Sequence, residues 1–246
     1  MKLNDTVIIA AQTARTNAYA QALKHAGISL KGAVVFGEPN TKKAGQAAYV
    51  PENTWPDAPV FMPDLSQSLD ESLAKVTERV VAVQAAHVND PPVLEALADF
   101  DAELIIYSGY GSQIVGESLL DMGAPLLHLH AGWLPEFRGS TTTYYHLLAT
   151  GDCGVSAIFL EKEIDTGPIL ARKRYPRPPA QLDIDYLYDG AIRADLLVDV
   201  LAGYGRNGAL PHVATQTPTD GNNYYVIHPV LKHLALLSLD GAVSMG

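Results

Sequence analysis

The chain predicts an open, mostly parallel α/β sheet, and three observations carry that expectation. Residues 7–11, 32–36 and 104–107 are short, nearly unbroken apolar runs, the pattern of strands covered on both faces. Between the first two lies an alanine-rich segment with Tyr19 and Leu23 at helical spacing, closed by Gly27. Strand, helix and strand within about 30 residues make one right-handed crossover. Finally, 246 residues with 48% apolar content suffice for one large core, or a core with a small appendage.

The elements follow in order. The turn after the first strand lacks G-x-G-x-x-G, so a dinucleotide site is not supported; Thr13, Arg15 and Thr16 there are either a simple cap or the receiver of an anionic group. Residues 37–65 turn to Pro, Asn and Gly, with Trp55 and Phe61 isolated, and read as a long loop. Ser68 and Glu71 form a capping box that predicts a helix over 69–79. Residues 80–83 read as a strand, or as helix continued through His87. Asn89, Asp90, Pro91 and Pro92 break the chain and start a helix ending near Phe100. After the 104–107 strand, Gly109 and Gly111 mark a sharp turn. Residues 140–150 form a helix capped by Ser140 and closed by Gly151, and 155–160 and 169–175 are strands. Beyond a Pro176–Pro178–Pro179 linker, 183–201 carries apolar residues at helical spacing. The tail offers an edge strand at 213–216 and a helix over 228–237 with Pro229 in its first turn. His228 and His233, five apart, do not share a helical face and read as structural. Tyr224 and Tyr225 either edge a site or pack.

Composition narrows the function. No 18-residue apolar run occurs, and the first residues lack a basic-then-apolar leader pattern, so neither a membrane span nor a secretory signal is expected. A single cysteine, Cys153, permits no internal disulfide, and a reducing cytoplasm is the expected setting. Flanked by apolar residues, it reads as packed. The net charge of −10, with basic residues scattered as Lys42–Lys43 and Arg172–Lys173–Arg174, disfavours a nucleic acid partner.

The chemistry concentrates in residues 125–171. An apolar run there carries His128 and His130 on alternate positions before stopping at Gly132 and Pro135. Alternate strand residues face one side, so both imidazoles project together, about 6.5 Å apart along the backbone, near the carboxyl end where open α/β sheets bind ligands. Asp165, in an acidic turn before Thr166–Gly167–Pro168, follows the second strand; two strands ending together would bring it to the histidines.

This stretch, with Leu134, Pro135, Arg138 and Gly139 as LP-x-x-RG followed by DTGPIL, resembles the catalytic domain of the folate-dependent formyltransferases. That is the family of methionyl-tRNA formyltransferase, glycinamide ribonucleotide transformylase and the sugar N-formyltransferases. The resemblance is specific over about residues 100–175. It implies a Rossmann-like fold with helices on both faces: a catalytic domain over 1–175 and a small C-terminal helical extension over 176–246 packed on it. His130 falls on the family's catalytic histidine and Asp165 on its catalytic aspartate, while His128 stands where the family has asparagine and would substitute for its amide donor. The resemblance also places Gly111, Ser112, Gln113, Ile114, Glu163 and Ile164 around the folate, largely through main-chain contacts. It implies transfer of a formyl group from 10-formyltetrahydrofolate to a primary amine of a small molecule, with a nucleotide-linked amino sugar the first choice of acceptor. The length after Tyr175 leaves little room for the RNA-binding domain of the tRNA-directed members. The apolar 224–239 tail is the basis for expecting a homodimer. Three alternatives stand: a metal-dependent hydrolase with His128, His130 and Asp165 as ligands, a hydrolase of formyltetrahydrofolate, and a non-catalytic binding module on the same fold.

Overall fold

The computed structural model describes residues 1–38, 55, 57–217 and 219–240. Most of the expected 37–65 loop, including Lys42–Lys43, lies outside them. β1 (Lys2–Ala11) leads through α1 (Ala14–His25) to β2 (Ser29–Phe36); α2 (Leu69–Leu73) precedes β3 (Val80–Ala82), and α3 (Pro91–Ala98) precedes β4 (Leu104–Ser108). Then come α4 (Glu117–Leu120), β5 (Leu126–His130), β6 (Phe137–Gly139), α5 (Thr142–Thr150), β7 (Cys153–Phe159) and β8 (Ile169–Tyr175). A π-helical turn at Ile184–Tyr188 opens α6 (Asp189–Asn207), followed by β9 (Asn222–Tyr224) and α7 (Pro229–Leu239).

The main sheet has the order β3-β2-β1-β4-β5-β7-β8, parallel from β3 to β5 and antiparallel from β5 to β8. β1 explains the unbroken apolar pattern of the sequence. Ile8 and Ala10 face one core with α1 and α6, while Val7, Ile9 and Ala11 face the other with α3 and α4. The strand order turns at β1 and β4, so their carboxyl ends form the crevice where this architecture binds ligands. That crevice is tied across: the Arg15 guanidinium donates to the Gly109 carbonyl, and the Thr16 and Ser108 hydroxyls lie 2.8 Å apart.

Several expectations are corrected. The Ser68–Glu71 capping box forms with both bonds, but α2 stops at Leu73. The Val76 and Arg79 carbonyls accept from Leu30 and Ala33 on β2, which pulls the chain out of the helix and into line with the sheet. Residues 80–82 are strand, so the alternative helix through His87 is excluded. Ser140 does not cap α5. Its N–H donates to the Tyr224 carbonyl at 2.9 Å, and the cap position falls to Thr141 in the left-handed region, φ 53°. The 213–216 segment contributes a single bridge, Ala214 to Ile169, in place of an edge strand. Instead, β9 pairs in parallel with β6, a contact between residues more than 80 positions apart that no local pattern announces. Cys153 is fully buried, and burial pushes its thiol up to about 12, as fits a packed residue.

The largest correction concerns how Asp165 arrives. β5 and β7 are antiparallel, with His130 opposite Ser156 and Leu127 opposite Phe159, so the two strands do not end together. β7 ends beside the start of β5, and the 160–168 loop has to carry Asp165 back to the histidines. Gly167 allows that return, because a Cβ there would lie 1.9 Å from the Phe159 carbonyl oxygen.

Candidate active site

The pattern of β5 resolves as its alternation requires: Leu127 and Leu129 enter the core beneath α6, and His128 and His130 share the other face with ring centroids 6.4 Å apart. His130 is buried. Its Nε2 lies 2.7 Å from the Phe137 carbonyl, which can only accept, so the proton sits on Nε2 and Nδ1 is turned to Asp165, 3.4 Å from Oδ2. Gly132 permits this close passage, since a Cβ would lie 2.6 Å from the Phe137 oxygen and 2.7 Å from His130 Nε2. Asp165 and His130 therefore converge, as the sequence led one to expect, by a different route.

Asp165 is held in a conformation it would not adopt alone. Its φ is 55°, in the left-handed region. Oδ2 accepts the Gly139 N–H at 2.8 Å, and its carbonyl accepts Gln216 Nε2 at 3.1 Å. Gln216 also donates to the Gly167 carbonyl at 2.7 Å and accepts from the buried Arg138 guanidinium at 3.0 Å, which reaches Thr217 as well. The arginine of LP-x-x-RG is thus a brace: it fixes Gln216, and Gln216 fixes the loop that presents Asp165. Gly139, at φ 99°, is compelled by β9, because a Cβ would lie 2.1 Å from the Tyr224 oxygen. Sequence reasoning had no access to Gln216, which sits in an irregular segment and gains its role only from contacts 49 to 78 positions away.

These groups line a pocket of about 720 Å³, within the ordinary range for small-molecule sites. Gly111, Ser112, Gln113 and Ile114 form part of one wall, and Glu163 and Ile164 part of another. Ile114 is 61% exposed and Ile164 55%, two large aliphatic side chains open to the same cavity. A Cβ at Gly111 would meet no atom within 4 Å, so protein packing does not demand glycine there. The Gln113 side chain is otherwise engaged, accepting from the Val88 N–H and donating to the Ala86 carbonyl. Tyr224 packs on Phe137 and Tyr145, whereas Tyr225 stands 82% exposed at the pocket.

Two guanidiniums lie in the same lining: Arg15, which the sequence offered as a receiver of an anionic group, and Arg193, which it did not single out. Arg193 pairs with Asp189 at 2.9 Å and donates to the Leu129 carbonyl at 2.8 Å. Arg15 has its bond to Gly109 but no carboxylate within ion-pair distance among the described residues, and burial with the nearby Arg193 charge lowers its pKa. Burial first, then the Arg193 charge, also holds the His128 imidazole well below its ordinary value, so it is neutral at pH 7. Its Nδ1 is buried with no hydrogen-bond partner. One donor atom from each of His128, His130 and Asp165 lies within 4.8 Å of the others.

The chain is similar to methionyl-tRNA formyltransferases. It is 32% identical to that of Chloroflexus aurantiacus over 165 residues, covering 64% of this chain and 52% of the relative, and 36% identical to that of Roseobacter denitrificans over 140 residues, covering 53% and 43%. It spans about half the length of these relatives. In fold it is similar to a sugar N-formyltransferase from Shewanella sp FDAARGOS_354, with TM-score 0.56 and 14% identity over 96% of this chain and 88% of the other. It is likewise similar to a 4-N formyltransferase from Francisella tularensis, with TM-score 0.56 and 11% identity over 95% and 87%. The family model described as formyl transferase matches residues 3–196, which contain β1 through β8, the His130–Asp165 pair and the start of α6. On that match, the chain belongs to the formyl transferase family.

Proposed function

We propose that this chain is an N-formyltransferase moving a formyl group from 10-formyltetrahydrofolate to a primary amine of a small molecule. The observation that carries the reading is the 3.4 Å His130–Asp165 pair opening onto the pocket that Ile114 and Ile164 line. The folate fits that pocket: exposed aliphatic side chains suit the faces of a flat ring, and the open space at Gly111 lets a ligand approach the backbone. A solved neighbour, HypX from Aquifex aeolicus, is described in complex with tetrahydrofolic acid.

Bound there, the folate supplies an activated formyl carbon. Attack by the amine nitrogen forms one C–N bond, and release of tetrahydrofolate breaks the other. Asp165 accepts the proton lost by the amine, directly or through a water, and His130 Nδ1 relays it to the departing nitrogen. Negative charge that develops on the formyl oxygen meets an N–H of neutral His128, joined by His130 Nδ1–H once that nitrogen has taken the relayed proton. Loss of one such donor typically lowers the rate about 100- to 1000-fold. Arg15 gives the acceptor a preferred character, since a cation with no carboxylate at ion-pair distance among the described residues suits an amine that also bears phosphate or carboxylate, as a nucleotide-linked amino sugar does.

A second reading, a tRNA acceptor, is favoured by the names of the sequence relatives. The net charge of −10 weighs against it. The test is formyl transfer from 10-formyltetrahydrofolate to nucleotide-linked amino sugars, amino acids and methionyl-tRNA, with mass analysis of each acceptor and a no-acceptor control. Formylation of a small amine, lost in His130→Ala, is the expected result. Formyl release with no acceptor would make the chain a hydrolase, and activity untouched by His130→Ala would remove the mechanism.

A further inference from the structure

The asparagine position of the family word carries His128 in this chain, and that residue changes what the cluster can hold. His130 has its Nε2 proton committed to the Phe137 carbonyl, which leaves Nδ1 as a lone pair facing Asp165. This is how a ligating histidine is oriented in metal sites, where the far ring nitrogen donates to a carbonyl and fixes the near one as donor to the ion. Asp165 is oriented likewise, by the Gly139 N–H on Oδ2. His128 adds a second imidazole from the same strand face, with a buried Nδ1 that has no hydrogen-bond partner.

The distances suit a small ion. Ligands about 2.1 Å from a tetrahedral zinc stand about 3.4 Å from one another, which is the His130 Nδ1 to Asp165 Oδ2 separation of 3.4 Å. The His128 donor lies within 4.8 Å of both partners and must close by about 1.4 Å at most to meet the same geometry. Two imidazoles and one carboxylate are a borderline-soft set that selects zinc-class transition metals over magnesium or calcium. The guanidiniums of Arg15 and Arg193 line the same pocket and oppose a dication, so affinity falls below that of a structural site.

We propose that His128, His130 and Asp165 together bind one zinc-class divalent ion, leaving a fourth position open to the pocket. This goes beyond formyl transfer and does not depend on it. If both hold, the ion occupies the lone pairs that the proton relay uses, so metal and transfer exclude one another.

The experiment is titration of the full, chelator-stripped chain with Co²⁺, followed by visible absorption, and displacement by Zn²⁺ against a chromophoric chelator. Expected are one saturable equivalent with the strong bands of a low-coordinate site and at least about 100-fold weaker binding in His128→Asn. Circular dichroism checks that the variant is folded. Only weak, six-coordinate-like bands in the unmodified protein overturn the proposal without recourse to any variant. So does binding that survives both His128→Asn and Asp165→Asn, since it would then belong to surface histidines. Because no formyl donor is used, failure here leaves the transfer reading standing, and failure of the transfer assay leaves this measurement valid.

Discussion

The parallel half of the sheet and its antiparallel edge hold their shapes in different ways. In the parallel half, β2, β1 and β4 lie between two cores and are fixed by apolar side chains of the helices on either face, such as Leu97 and Phe100 of the α3 region on one side and Leu197 of α6 on the other. At the other edge, the 160–168 loop is fixed by polar bonds from distant segments: Gly139 to Asp165, Gln216 to Asp165 and Gly167, Arg138 to Gln216. Apolar burial is non-directional and tolerates small shifts, whereas a hydrogen-bonded brace sets a position to a fraction of an ångström. The pocket spans both halves, so its carboxylate is placed by the second kind of order and its histidines by the first.

Substitutions that separate the two kinds of order test this contrast. Asp165→Asn removes the charge while keeping the shape, and a rate loss of about 100- to 10,000-fold with little change in melting temperature is expected in the transfer assay. A near-normal rate would show that the brace presents a group the chemistry does not use. Leu97→Ala, in the parallel half, costs about 2–5 kcal/mol in denaturant unfolding and leaves kcat of the folded enzyme unchanged. A matching fall in kcat would erase the distinction between the halves. Gln216→Ala withdraws one acceptor from the buried Arg138 and the donor to the Asp165 carbonyl. It costs about 1–3 kcal/mol and, unlike Leu97→Ala, also lowers kcat.

The smallest expected effect is one of pH. His146 of α5 is fully buried, its ring against Phe137, with Nε2 3.6 Å from Asp152, too far for a hydrogen bond. Burial lowers its pKa, more than the Asp152 charge restores it. As pH falls through the ordinary histidine range near 6.5, the unfolded chain takes up a proton that the folded chain resists. The stability present above that range is therefore lost below it. In His146→Gln, the melting temperature should fall less between pH 7.5 and 5.5 than in the parent, and equal slopes would place the acid sensitivity elsewhere.

How far the sequence could be read follows from the same contrast. The strand–helix alternation, the shared face of His128 and His130 and the capping box at Ser68 were legible because each is a pattern within one continuous stretch of neighbouring residues. The short α2, the displaced start of α5 and the β6–β9 pairing were not, because a distant carbonyl or strand decided each one. Arg138 was visible as part of a motif, but its role as a brace was not, since Gln216 lies 78 positions away.

The sequence by itself determined the α/β class, the resemblance to the formyl transferase family now borne out, and the residues from which a site would be assembled, since these depend on periodicity and residue chemistry along one strand or turn. Only the tertiary structure decided that β7 runs antiparallel to β5, that Asp165 reaches His130 by a returning loop, and that Arg15 and Arg193 share the pocket. Those outcomes depend on which buried donors and acceptors find one another across the folded chain, a condition that no window of neighbouring residues contains.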